Sequence, residues 1–130
     1  MKTDDNNSAN TTQAIYLNIL GEPASKANSR KMVYVRGKPM FIKSSKALSY
    51  CEAFKRQAGQ AKDLLQGDVA VHMTIYYASR RPDLDESLIL DLLQGVAYEN
   101  DRQVKEKHIY WGLDKENPRC EIKVEKKGTS

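Results

Sequence analysis

Six carboxylates stand between residues 82 and 101 with no lysine or arginine among them: Asp83, Asp85, Glu86, Asp91, Glu99 and Asp101. Asp83 and Asp85 are two positions apart, so an extended backbone points both to one side. Carboxylates that converge repel one another unless a hard cation lies between them. An all-oxygen donor set of this kind suits Mg²⁺, with Mn²⁺ as the alternative. Taken singly, the same residues have plainer uses. Asp83 or Asp85 can cap a helix that begins near Leu84, Asp91 can sit on that helix in solvent, and residues 99–101 can form an acidic turn.

The opposite composition holds earlier in the chain. No acid occurs between residues 23 and 51, a stretch that carries Lys26, Arg30, Lys31, Arg36, Lys38, Lys43 and Lys46 with Tyr34, Phe41 and Tyr50 interleaved. Lysines on a hairpin can simply guard a sheet edge. Cationic side chains on flexible arms also suit phosphates, aromatic rings suit bases, and a two-stranded ribbon fits a DNA groove. A carboxylate-held metal beside a basic surface is the composition of a phosphodiester nuclease, in which the metal polarises the phosphoryl oxygen and activates a water. No covalent nucleophile is needed and none is evident. Cys51 and Cys120 belong to no motif and read as buried thiols rather than a disulfide, and the serines lack a partnered histidine. His72 reads as a structural residue within a strand and His108 as a surface one.

The chain that must position these groups has 130 residues, 40% of them hydrophobic, with a net charge of +4. That length gives one domain and one modest core. No apolar run reaches the ~20 residues that span a bilayer, and residues 1–12 are too polar for a signal peptide, which points to a cytoplasmic protein. Residues 1–12 read as a disordered tail, 13–126 as the folded domain and 127–130 as a second tail.

Alternating Ile15, Leu17 and Ile19 predict a strand that stops at Gly21 and Pro23. Residues 32–35 and 40–42 predict a hairpin turned through residues 36–39, with Pro39 ending the pairing. Ser44 or Ser45 caps a helix whose buried stripe is Ala47, Tyr50, Cys51, Phe54, Ala58 and Ala61, fraying near residues 65–67. Residues 69–79 form the longest strand, apolar enough on both faces to be central. Residues 84–96 predict a second helix, apolar over most of its girth and so buried in the core or at a subunit contact. Strands at 104–111 and 119–125 complete an α+β domain with helices against a mixed sheet.

Arg80-Arg81-Pro82-Asp83-Leu84-Asp85, a helix, and then residues 95–104 (GVAYENDRQV) resemble the signature of the RusA family of Holliday junction resolvases. That family carries R-P-D-L-D-N and, downstream, D-D-x-Q-[IV]. Weaker likeness extends to the basic loop at 23–30, the helix entry at 41–50 and Asn117-Pro118-Arg119 before Ile122. The resemblance implies a homodimeric, Mg²⁺-dependent endonuclease of phages and prophages that nicks four-way DNA junctions symmetrically. Its catalytic and metal-binding aspartates fall on Asp83, Asp85 and Asp101, and the second helix would help build the dimer. A two-fold dimer presents two equivalent sites to two equivalent strands.

The chain departs from the pattern at Glu86 in place of Asn, at Asn100 in place of the first downstream Asp, and at Ile89, where an ungapped alignment puts a family lysine. If that lysine stabilises phosphate charge, the role passes to Arg80, Arg81, Arg102 or Lys105, with Arg81 and Arg102 best placed beside the acidic motifs. Arg80 also joins the DNA-binding set. The alternative function is a weak or inactive branched-DNA binding protein on the same fold.

Overall fold

The computed structural model describes residues 13–25, 30–59 and 63–128. Residues 1–12 with their expected tail, Lys26, Ala61 and Lys62 lie outside the described residues. Among the described residues nine elements follow in order: β1 (Ala14–Leu20), β2 (Arg30–Val35), β3 (Lys38–Lys43), α1 (Ser45–Ala58), β4 (Val69–Tyr77), α2 (Ser87–Leu93), a 3-10 turn (Asp101–Gln103), β5 (Val104–Leu113) and β6 (Arg119–Lys126).

Four strands form one mixed sheet in the order β1-β6-β4-β5. β6 pairs antiparallel with β1 and with β4, while β5 runs parallel to β4. Parallel neighbours require a crossover, and α2 supplies it. Val69, Val71, Met73, Ile75 and Tyr77 of β4 are buried, as are Cys120, Ile122 and Val124 of β6. Ala47, Tyr50 and Phe54 of α1 and Leu88, Ile89, Leu92 and Leu93 of α2 join them in one core. The apolar side of α2 is therefore taken up by its own chain's core.

The other sheet face is open, with Tyr16 and Tyr110 exposed on it and its side chains meeting one another. The His72 and His108 rings stack at 4.7 Å, and the Arg119 guanidinium lies 4.0 Å above the Tyr76 ring. His72 Nε2 meets Glu125 Oε2 and His108 Nε2 meets Glu106 Oε2, both at 2.6 Å. Lys127, with help from His108, holds the Glu106 carboxyl down from 4.5 to about 2. A depressed carboxyl stabilises the fold above its unfolded pKa, and the contribution drains away as pH falls from about 4.5 towards about 2. Lys127→Ala should move the Glu106 titration, followed by carboxyl NMR, back towards 4.5. An unmoved titration would show that the ammonium is not what holds it.

Several boundaries differ from the sequence expectation, each for a visible reason. The hairpin turns through two residues, Arg36 (φ 53°) and Gly37 (φ 79°), the left-handed pair of a type I′ turn. Pro39 does not end the pairing but sits opposite Tyr34. A strand with only one neighbour tolerates a residue without an N–H. Ser44 caps α1, and Gly59 (φ 68°) stops it at Ala58, its N–H returning to the Lys55 carbonyl at 3.1 Å. The expected 84–96 helix is cut to seven residues. At its far end the buried Tyr98 hydroxyl donates to the Leu90 carbonyl at 3.0 Å, and Gly95 (φ 86°) turns the chain away. No helix among the described residues is long and apolar enough to cross a membrane.

Candidate active site

The loop that follows β4 is held from beneath by two aromatic residues. The Tyr77 hydroxyl donates to the Asp83 carbonyl at 3.2 Å and accepts from the Asp85 N–H at 3.3 Å. Trp111 Nε1–H donates to the Pro82 carbonyl at 3.0 Å, and the two rings stack at 5.8 Å. Burial raises the Tyr77 pKa, which keeps its hydroxyl protonated and able to donate. These bonds hold residues 82–85 in a loop, which takes residues 84 and 85 out of the helix that the sequence pattern predicts from residue 84.

Asp85 is oriented by the start of α2. Its Oδ1 accepts from the Ser87 N–H at 3.0 Å and from the Ser87 hydroxyl at 2.6 Å. The capping use is therefore real, but it occupies one oxygen only. Asp85 Oδ2 is buried and has no hydrogen-bond partner. A buried acceptor left unmatched is costly, and more so on a carboxylate. Asp83 is exposed beside it.

Asp101 lies elsewhere. Its N–H donates to Gln94 Oε1 at 3.1 Å, just past the C-terminal end of α2. Asn100 caps the 3-10 turn through the Arg102 N–H at 2.9 Å. Gln103 closes it from the other side and donates to the Leu65 and Gly67 carbonyls at 2.9 and 2.8 Å. Asn100, one of the departures noted above, thus has a backbone task that its side chain performs. Asp85 and Asp101 stand at opposite ends of a helix that is about 10 Å long at 1.5 Å per residue. Among the described residues no group of three His, Cys, Asp or Glu is close enough to hold a metal ion. One chain does not bring Asp83, Asp85 and Asp101 together.

The basic residues divide in the same way. Arg30, Lys31, Arg36, Lys38 and Lys43 are exposed on the hairpin, and Lys46 forms a long ion pair with Glu22 at 3.6 Å. Arg80, Arg81 and Arg102 are exposed, and among the described residues none of the three guanidinium groups forms an ion pair. Ile89 is wholly buried, so the ungapped register would put a family lysine into the core. Among the described residues, the cation that does reach the acidic segment is Lys107, whose Nζ lies 3.0 Å from Glu86 Oε2. Sequence reading missed it, because 21 residues separate the pair and only the parallel β4–β5 register brings Lys107 alongside α2.

Residues 21–125 match the model of the endodeoxyribonuclease RusA family. The chain belongs to the RusA family. No curated protein matches it individually. As a RusA protein the chain is an endodeoxyribonuclease of the Holliday junction resolving class, with branched DNA as its partner. RusA nucleases are metal-dependent in general. The carboxylate oxygen Asp85 Oδ2 is buried here without a hydrogen-bond partner, which is the chemistry of a group that a cation could match.

Proposed function

We propose that this RusA protein is a Mg²⁺-dependent homodimer that resolves four-way junctions by paired symmetric nicks. Each site takes Asp83 and Asp85 from one chain and Asp101 from a second copy. The observation that carries this reading is Asp85: one oxygen anchored, the other buried and unmatched, with Asp101 a helix length away. A two-fold axis across the middle of α2 would turn the Asp101 end of one chain onto the Asp85 end of the other, giving two identical sites. Leu84, exposed beside Asp85, and half-buried Leu90, which also packs against the core, keep some apolar surface for such a contact.

Mg²⁺ bound there would polarise the phosphoryl oxygen and lower the pKa of an attacking water. The chain's own residues do the rest. Tyr77 and Trp111 fix the loop, Ser87 aims the Asp85 carboxylate, and Gln94, Asn100 and Gln103 fix the backbone under Asp101. Arg81, Arg102 and Lys107 are the cations available to the phosphate, and Lys26, Arg30, Lys31, Arg36, Lys38, Lys43, Lys46 and Arg80 hold the DNA backbone.

The test is a synthetic four-way junction incubated with and without Mg²⁺. Paired nicks that need the metal support the reading. Binding without nicks supports the alternative, a junction-binding protein whose catalysis has decayed. The binding surface has its own test. Charge-removing changes at Arg30, Lys31 or Arg36 should weaken binding to all DNA sequences alike and flatten the salt dependence by about one unit per lost phosphate contact. Junction affinity indifferent to salt would reduce these residues to a solvated surface.

A further inference from the structure

The hairpin of β2 and β3 stands outside the core. Every residue of it except Val33 is exposed, and among the described residues none belongs to the core cluster. A lone two-stranded hairpin is marginal in water. This one nevertheless leaves Tyr34 68% and Phe41 70% exposed. Its register sorts the side chains. The pairs Arg30–Lys43, Met32–Phe41 and Tyr34–Pro39 share one face. That face has two cations at its base and two aromatic rings beyond them. No carboxylate occurs anywhere between residues 23 and 51.

We infer that this face is a base-stacking arm. Tyr34 and Phe41 take the faces of bases that lose their neighbours at a DNA branch point, while Arg30 and Lys43 hold the adjoining phosphates. The inference rests on the proposed reading and adds to it the element that tells a junction from a duplex. Groove reading needs donors and acceptors for base edges. Phe41, Met32 and Pro39 offer none, but they have the chemistry of side chains that wedge between base steps or stack on a base. Successive rows on a strand face are about 7 Å apart, comparable with the reach from a phosphate to its own base. Charge argues against a second copy as the occupant. Two such faces brought together would gather four cations with no acid on either face to neutralise them.

The experiment measures the dissociation constants of the full-length protein for a four-way junction and for a linear duplex of the same arm sequence. 2-Aminopurine at the branch point reports stacking, and sedimentation reports the oligomeric state. Phe41→Ala should weaken junction binding about tenfold or more and change duplex binding by less than about twofold, the loss of one stacked base converted to affinity. It should also abolish the 2-aminopurine response, which Phe41→Trp should restore. The salt dependence should not change, since no phosphate contact is removed. An equal loss on both DNAs would make the face a groove contact and overturn the inference, as would no loss on either. A shift to a smaller species on Phe41→Ala would make the occupant a second copy and also overturn it. If the unaltered protein shows no preference for junctions, the functional reading fails first. If it binds and cuts junctions while Phe41→Ala is neutral, only the stacking arm fails.

Discussion

Asp85→Asn is expected to lower strand cutting by about 10³-fold or more, the scale on which a metal stabilises transition-state charge, while junction affinity stays nearly the same. The substitution keeps the shape of the side chain and the Oδ1 acceptor for Ser87. It replaces the buried, unmatched Oδ2 by a donor, which cannot ligate a cation. Single-turnover cutting and a binding titration on the same junction separate the two effects, and a fully active variant would remove Asp85 from the site.

The same variant tests the two-chain arrangement. Asp85→Asn and Asp101→Asn should each be inactive alone. Mixed and allowed to exchange chains, they form heterodimers in which one site carries both changes and the other carries neither. Such a mixture should regain cutting, with one nick per junction rather than two. If all three aspartates acted within one chain, every site in the mixture would be damaged and nothing would return.

Lys107→Ala is expected to lower turnover at saturating DNA by about 10²-fold, the loss typical of a removed transition-state charge donor. Among the described residues, Lys107 is the lysine whose head group reaches the acidic segment, through Glu86 at 3.0 Å. Two roles are open to it: neutralising Glu86, or touching the phosphate. The double variant Glu86→Gln/Lys107→Ala tells them apart. Recovery of the rate means that Lys107 served Glu86, and no recovery means that its charge acts on the DNA. An unchanged rate in Lys107→Ala would return the role to Arg81 and Arg102, which flank the two acidic motifs.

Much of this architecture is legible in the amino-acid sequence. β4 announced itself as central because its residues are apolar on the core side and only weakly polar on the other. β6 alternated cleanly because one face meets the core, and the two acidic motifs pointed to the family. What was hidden depends on distant partners. Helical periodicity continues through residues 84–86, yet Tyr77 and Trp111 pull those residues out of α2, and no local signal in the loop records two rings from other strands. The type I′ turn at Arg36-Gly37 was obscured by Pro39, which looks like a strand breaker unless the strand is known to have a single neighbour. The separation of Asp85 from Asp101 follows from the length and direction of α2, and neither is visible in the spacing of the acids.

That separation has a consequence for when the protein can act. With the carboxylates at opposite ends of α2, a solitary chain holds only part of a proposed site. Below the concentration at which copies meet, cutting should rise with the square of the protein concentration rather than in proportion to it. A nuclease assembled in this way is silent when dilute, and whenever it becomes competent it does so with both blades at once.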